Sequence, residues 1–105
     1  MPVLAIDHQI AQKLHACTAP GSERAHDLVD LQLLITAENC DLALVGQTAR
    51  RLFRSWHGHE WPPTVTVGPA WEGVYAVACE GLDVHQDLTA AGEWTNDLIA
   101  HIETA

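Results

Sequence analysis

The sequence predicts an all-α fold of about five amphipathic helices in a small bundle, with a proline-containing loop around residues 57 to 68. Apolar residues recur at steps of three and four through most of the chain, which is the period of a helix with one buried face. The GHEWPP segment concentrates helix-breaking residues, and the TVTV segment after it is short and has no visible hairpin partner. We therefore expect an extended loop there rather than a strand.

The first two helices form the N-terminal third of the chain. The first is predicted over residues 7 to 17, and Pro20-Gly21 ends it. Ser22 is the expected N-cap of the second helix, which runs to about Thr36. Asp27 and Asp30 share one face of this helix, away from its apolar stripe. The apolar stripes are Ile6, Ile10, Leu14 and Cys17 in the first helix, and Leu28, Leu31 and Ile35 in the second.

Three further helices follow. The third is predicted over residues 41 to 56, up to the GHEWPP interruption. The fourth follows Gly68, takes Pro69 in its first turn and is closed by Gly81. The fifth is predicted over residues 88 to 102. Tryptophans 56, 71 and 94 match apolar stripes and are expected in the core, whereas Trp61 in the loop is the candidate for an exposed aromatic side chain.

Composition limits the size and the class of the protein. A chain of 105 residues with 48% apolar residues is one small domain, residues 1 to 105, with a thin core. A formal net charge of −9 opposes a broad nucleic-acid-binding surface. No run approaches the roughly 18 apolar residues of a membrane span, and no signal peptide is recognisable, so we expect a cytoplasmic protein without a membrane partner. The three cysteines form no Cys-x-x-Cys pair and are expected to be reduced thiols, mostly buried.

Lys13 and Asp27 lie on consecutive helices, where a helix hairpin would bring them together. Chemistry on a nucleoside triphosphate uses carboxylates to hold a divalent metal and cations to neutralise phosphate oxygens. An ordinary surface ion pair, with Asp27 stabilised by the helix dipole, explains the same residues. Spacing alone favours the surface ion pair.

The amino-acid sequences of the first two predicted helices also resemble a known family. IAQKLHA, followed about a dozen residues later by RAHDLVDLQLL, resembles the C-terminal part of the AbiEii/AbiGii nucleotidyltransferase toxins, the toxin halves of toxin–antitoxin and phage-defence pairs. PAWEGVYAVA resembles that family's Trp-containing C-terminal helix. The resemblance implies that Lys13, Asp27 and Asp30 are catalytic residues. It places Lys13 on the triphosphate, and Asp27 on either the acceptor hydroxyl or the metal site.

Two departures from the family pattern stand out. His26 replaces the lysine or arginine that usually precedes the aspartate, which leaves the phosphate contact there dependent on protonation. The family's metal-binding core, a Gly-Gly or Gly-Ser turn followed by Asp-x-Asp on a strand, lies far upstream of the lysine motif and is missing from this sequence. Gly21-Ser22 and Asp30 imitate its spacing, but Gln32 stands in place of the second carboxylate.

The resemblance and the missing core together define the expected partners. Mg²⁺ and a nucleoside triphosphate are expected in the complete enzyme, whereas this chain alone should hold neither and should have little or no transferase activity. The implied partners are a catalytic core in a longer or separate chain, a cognate antitoxin and an RNA acceptor. The alternative is a stand-alone, non-catalytic helical module that binds another protein.

The basic residues complete the predicted site. The expected substrate-binding residues are Arg24, His26, Arg50, Arg51 and Arg54. The last three lie late in the third helix, where they could contact phosphate or RNA, or where the helix dipole alone would favour them. WHGHEW contains two histidines and a glutamate, but the spacing is not that of a zinc site, so no metal ligands are predicted.

Overall fold

The computed structural model describes residues 6 to 19, 24 to 37, 41 to 56 and 60 to 105. Within these ranges the chain forms five helices and no strand, which confirms the all-α prediction. The helices are α1 (Ile6–Thr18), α2 (His26–Ala37), α3 (Leu42–Ser55), α4 (Trp71–Ala78) and α5 (Leu88–Thr104). None of the described helices combines the length and the apolar character needed to cross a membrane.

Two aspartates define where α3 and α5 begin. The carboxylate of Asp41 accepts hydrogen bonds from the backbone N–H groups of Ala43, at 3.0 Å, and Leu44, at 3.4 Å. The carboxylate of Asp87 accepts one from Ala90 at 3.0 Å. These bonds satisfy backbone donors that have no partner inside a helix, so both helices start where the sequence predicts.

The start of α2 differs from the prediction. The helix begins at His26 rather than after Ser22, and Ser22 and Pro20-Gly21 lie outside the described residues. The carbonyls of Arg24 and Ala25 accept hydrogen bonds from the amides three residues ahead, each at 3.1 Å, so a tight turn leads into the helix. Arg24 consequently precedes α2, and Asp27 lies in its first turn.

The start of α4 also differs from the prediction. Pro69 lies in the turn before the helix, not in its first turn, because the Gly68 carbonyl accepts the Trp71 N–H at 3.1 Å and closes that turn first. The helix ends at Ala78 with Cys79 as its C-cap. Gly81 follows in the next turn with φ at 75°, a conformation that favours glycine.

The five helices enclose one principal core. α1 packs on α2 and α3, α4 packs on α2 and α5, and α5 also contacts α2 and α3. Burying each large apolar side chain contributes about 1.5–3 kcal/mol, which makes this core the main source of stability. Its largest fully buried apolar side chains are Ile10, Leu14, Leu28, Leu31, Val45, Trp71, Tyr75 and Ile102.

The loop before α4 is extended, as predicted for TVTV, and side chains hold it in place. Asn96 of α5 accepts a hydrogen bond from the Val65 N–H at 2.8 Å and donates one to the Val65 carbonyl at 3.3 Å. These bonds satisfy both backbone groups without a partner strand, and the Val65 side chain is buried in the core. Residues 57 to 59 of the predicted loop lie outside the described residues.

The tryptophans and cysteines mostly occupy the predicted environments. Trp71 is buried, and Trp56 and Trp94 are partly buried. Trp61 is also partly buried, packs on Phe53 with ring centroids 5.5 Å apart and donates its indole N–H to Glu103. Cys17 and Cys79 are free, buried thiols, whereas Cys40 lies outside the described residues.

Candidate active site

The packing of α1 on α2 brings together the lysine and the aspartates that the sequence singled out. Lys13 Nζ lies 2.9 Å from Asp30 Oδ2 and 3.5 Å from Asp27 Oδ1. The contact between Lys13 and Asp30 has the length of a charge-assisted hydrogen bond. The contact between Lys13 and Asp27 is longer and is an ion pair without a short hydrogen bond. The helix hairpin thus places one ammonium group between two carboxylates.

Asp27 is the centre of this cluster and is completely buried. Its Oδ2 accepts a hydrogen bond from Arg24 Nε at 2.7 Å, and its Oδ1 lies 3.5 Å from His26 Nε2. Spacing alone favoured an ordinary surface ion pair for Asp27, whereas the carboxylate that pairs with Lys13 is buried. Lys13 and Arg24 cover the carboxylate, whereas Asp30 stays 42% exposed.

The contacts around Asp27 change the pKa values of neighbouring side chains. Partial burial disfavours the charged form of Lys13, but the hydrogen bond to Asp30 and the charges of Asp30 and Asp27 outweigh it and raise the Lys13 pKa. The hydrogen bond and the charge of Asp27 raise the pKa of Arg24. Both cations therefore remain charged throughout the physiological range. Burial, helped by the negative charge of Asp27, raises the pKa of the Cys17 thiol to about 12, so this neighbour is not a nucleophile.

A surface pocket of about 370 Å³ opens beside the cluster. Gln9, Gln12, Lys13 and Ala16 line it from α1, where spacings of three and four residues put them on one face. Arg24 and Asp27 line it from the other side, with Asp27 beneath the two cations. No sequence motif marks Gln9, Gln12 or Ala16, although their helical spacing from Lys13 is a signal that could have found them.

Mg²⁺ does not fit the residues of this pocket. Magnesium takes oxygen ligands in a near-octahedral shell, but Asp27 already faces Arg24, Lys13 and His26, and Asp30 is bonded to Lys13. No group of three or more potential metal-ligating side chains occurs among the residues that the structure describes. The cluster carries cations toward the pocket, and cations suit an anionic ligand.

The three arginines of α3 lie apart from this cluster. Arg50 donates to the carboxylate of Glu103 at 3.1 Å and to its carbonyl at 3.3 Å, which ties α3 to the end of α5. Arg51 and Arg54 are exposed on the same helix. Within the described ranges, no ion pair or hydrogen bond joins these arginines to Lys13 or Asp27. Of the five predicted substrate-binding residues, only Arg24 and His26 contact Asp27.

Two other polar side chains near the cluster serve the fold. His15 packs its ring edge-on against Phe53 and Trp56 of α3, with centroids 4.9 Å and 4.6 Å apart. Gln32, which stands where a second carboxylate would be, is buried and donates to the Tyr75 hydroxyl at 3.0 Å. Its carbonyl oxygen accepts the His85 N–H at 2.8 Å. Gln32 therefore links α2 to α4 rather than serving the pocket.

Comparison with known proteins gives the family. No curated protein matches the chain. Residues 1 to 99 match the family model described as nucleotidyl transferase AbiEii toxin, Type IV TA system. This match spans nearly the whole chain and confirms the resemblance seen in IAQKLHA and RAHDLVDLQLL. The chain belongs to the AbiEii nucleotidyl transferase toxin family, and its function is of the nucleotidyltransferase toxin type.

Proposed function

We propose that the pocket between α1 and α2 binds the phosphates of a nucleoside triphosphate and forms part of the active site of an NTP-dependent nucleotidyltransferase. The observation that carries this proposal is the buried Asp27 carboxylate, held between Lys13 and Arg24 at the wall of a pocket. An anionic group entering the pocket meets the Lys13 ammonium and the Arg24 guanidinium, which are paired with Asp30 and Asp27 while the pocket is empty.

Lys13 is the primary phosphate-binding group in this proposal. Its side chain is 28% exposed, and its ammonium is held by Asp30, whose own side chain is 42% exposed. A phosphate oxygen can replace the Asp30 carboxylate at little cost, because exposed ion pairs contribute only about 0–1 kcal/mol. Lys13 then neutralises charge that develops on the phosphate during transfer.

Asp27 acts through the two cations rather than on the substrate. Its carboxylate is covered by Lys13 and Arg24, so it orients both side chains and balances their charge when the pocket is empty. This geometry favours a positioning role over direct contact with an acceptor hydroxyl or a metal ion. Catalytic positions commonly depend on such a supporting group for their precision.

In this proposal, other molecules supply the metal site and the acceptor of the reaction and control its activity. A core with the Gly-Ser and Asp-x-Asp motifs, in a longer or separate chain, holds Mg²⁺ and the reacting end of the nucleotide. The acceptor is an RNA end, and a cognate antitoxin neutralises the activity, as the description of a toxin–antitoxin family suggests. Phage defence is the physiological setting that the family resemblance implies, and the cytoplasm is the proposed location.

The experiment measures nucleotide transfer to an RNA end after the chain is mixed with, or fused to, a family core that carries the two motifs. The variants are Lys13→Ala and Asp27→Asn, each checked by circular dichroism and thermal unfolding. We expect Lys13→Ala to lower the transfer rate about a hundredfold, the scale seen for one lost electrostatic contact to a transition state. Asp27→Asn should lower it about tenfold through poorer positioning.

Asp97→Asn provides the matched control, because Asp97 is an exposed carboxylate on α5, and it should leave transfer unchanged. Binding is measured separately by titrating Mg-ATP, Mg-GTP, Mg-CTP and Mg-UTP into the isotope-labelled chain joined to that core and following backbone amide signals around Lys13. Full transfer by both Lys13→Ala and Asp27→Asn, in proteins that fold normally, would show that the active-site assignment is wrong.

A second candidate function is a non-catalytic helical module that binds a partner protein. The observation that favours it is the exposure of apolar side chains on α4, which has no role in the pocket. In that case transfer would never appear with any core, and both site variants would keep partner binding. The two functions are compatible if α4 serves assembly and the pocket serves chemistry.

A further inference from the structure

The Lys13 ammonium is shared unequally between two carboxylates. Its Nζ donates a hydrogen bond to Asp30 Oδ2 at 2.9 Å, whereas Asp27 Oδ1 lies 3.5 Å away. Asp27 lines the pocket between α1 and α2, but Asp30 is not among the residues that line it. The shorter contact therefore ties the ammonium to a carboxylate outside the pocket.

The longer contact leaves a buried oxygen without a hydrogen bond. Asp27 is completely buried, and no donor in the described part of the chain forms a hydrogen bond with its Oδ1. Lys13 Nζ and His26 Nε2 are each 3.5 Å from this oxygen. A buried acceptor without a hydrogen bond is unfavourable. A small movement of the Lys13 ammonium from Asp30 to Asp27 would supply the missing bond.

A phosphate in the pocket and the Asp30 carboxylate require the same group. Both present anionic oxygens that accept charge-assisted hydrogen bonds from an ammonium. Because an ammonium has three N–H donors, Lys13 can serve a phosphate oxygen and Asp27 Oδ1 together once it leaves Asp30. Asp30 can then be hydrated, since its side chain is 42% exposed, whereas the buried Asp27 has no such access to water.

We propose that Asp30 is a built-in competitor of phosphate at Lys13. In the empty pocket its carboxylate holds the ammonium, and nucleotide binding moves the ammonium to Asp27 Oδ1 and a phosphate oxygen. This inference rests on the proposed function, because it requires Lys13 to bind phosphate. It assigns Asp30 to the control of affinity, in place of the catalytic role that the family resemblance implies.

The test measures binding of inorganic triphosphate with Mg²⁺, which contains the part that all four nucleotides share. The protein is the isotope-labelled chain joined to the family core of the transfer assay, and backbone amide signals around Lys13 report binding. We expect Asp30→Asn to tighten binding about two- to fivefold, the affinity equivalent of one exposed ion pair. Asparagine keeps the size of the side chain and removes only its charge, so the fold should be preserved.

A double-mutant cycle separates competition at Lys13 from a general effect of charge. Removing any carboxylate near the pocket favours an anionic ligand, but only a competitor acts through the ammonium. Asp30→Asn should therefore tighten binding in the natural chain and have no effect in the Lys13→Ala chain. Asp97→Asn, which removes an exposed carboxylate on α5, controls for the net charge and should leave the affinity unchanged.

Transfer kinetics provide a second measurement, because a competitor sets how much nucleotide is needed. Asp30→Asn should lower the KM for the nucleotide by about the same factor as the dissociation constant of triphosphate. A lower transfer rate at saturating nucleotide, with unchanged affinity, would overturn the inference and assign Asp30 to catalysis.

Two results distinguish failure of this inference from failure of the proposed function. If Lys13→Ala binds triphosphate as tightly as the natural chain, the proposed phosphate site is wrong and Asp30 has no ligand to compete with. If Lys13→Ala weakens binding but Asp30→Asn does not tighten it, or tightens it equally without Lys13, Asp30 is not a competitor and the proposed function stands.

Discussion

Arg24 Nε donates to Asp27 Oδ2 at 2.7 Å, yet the arginine is half exposed and the aspartate is wholly buried. Arg24 precedes α2 and folds back over its first turn, so the residue that neutralises the carboxylate also covers it. Lys13 covers the other oxygen from α1. The buried charge therefore depends on cations supplied by two separate segments of the chain.

Removing the Asp27 carboxylate should destabilise the fold more than removing the Asp30 carboxylate. We expect Asp27→Ala to lower the free energy of unfolding by about 1–3 kcal/mol, because it leaves two cations without their shared partner, although both retain access to water. Asp30→Ala should cost less than about 1 kcal/mol, since it removes an exposed ion pair. Urea denaturation of the two variants measures the difference, and equal losses would contradict the central position of Asp27.

The Cys17 thiol should make stability depend on alkaline pH. Burial, with the charge of Asp27, raises its pKa from the ordinary 9.0 to about 12 in the folded chain. In the unfolded chain the thiol ionises near its ordinary pKa. The stability that the folded chain gains from keeping this thiol protonated is therefore complete below about pH 9 and is lost as pH rises toward 12. One proton corresponds to a slope of at most about 1.4 kcal/mol per pH unit.

Cys17→Ala isolates this effect. Free energies of unfolding measured from pH 8 to pH 11 should fall less steeply for the variant than for the natural chain. Tyr75, whose pKa burial also raises, is common to both proteins and cancels in the difference. Parallel curves would show that the thiol does not contribute to the alkaline loss of stability.

Two helical glycines should respond in opposite directions to alanine. A Cβ on Gly46 would lie 3.2 Å from the Ile102 carbonyl oxygen and 3.3 Å from its side chain, because α3 packs closely on α5 there. Gly46→Ala should therefore lower the thermal midpoint despite the better helix propensity of alanine. Gly73→Ala meets open space and should raise stability by up to about 1 kcal/mol. Thermal unfolding of both variants provides the comparison.

Glu103 should protect the indole of Trp61. Its carboxylate accepts hydrogen bonds from the Trp61 indole and from Arg50, and these two contacts lower the Glu103 pKa. We expect Glu103→Ala to speed exchange of the indole proton several-fold, with Glu93→Ala, at an exposed position on the same helix, as the control. Exchange is followed by NMR of the indole N–H.

Acidic pH should weaken the protection of the Trp61 indole N–H in the natural chain, as the Glu103→Ala substitution does. Because the folded pKa lies below the ordinary 4.5, the contact is complete above about pH 4.5 and disappears as pH falls through the lowered value. Indole exchange corrected for its intrinsic pH dependence should therefore accelerate only below that range. Acceleration that begins near neutral pH would point to another group.

Local signals predicted most of the helices. Asp41 and Asp87 provide cap side chains whose hydrogen bonds form within three residues, so the starts of α3 and α5 follow from short-range chemistry. Ser22 is an equally good cap by type, but α2 begins at His26 after the turn formed by Arg24 and Ala25. Residue preference alone does not decide between neighbouring helix starts.

Long-range pairings were harder to predict. Gln32 finds Tyr75 and His85, and Arg50 finds Glu103, across more than forty residues in each case. Nothing in the local sequence around Arg50 distinguishes a phosphate-binding arginine from one that ties two helices together. Such partners depend on how the helices cross, and periodicity does not report crossing geometry.

The amino-acid sequence by itself determined the all-α class, the approximate helices, the family and the pairing of Lys13 with Asp27, because helical period and short motifs are local properties of the chain. Only the tertiary structure decided that Asp27 is buried beneath Lys13 and Arg24, and that the outer face of α4 stays uncovered. Burial depends on which surfaces the other helices cover, and that is a property of the assembled fold.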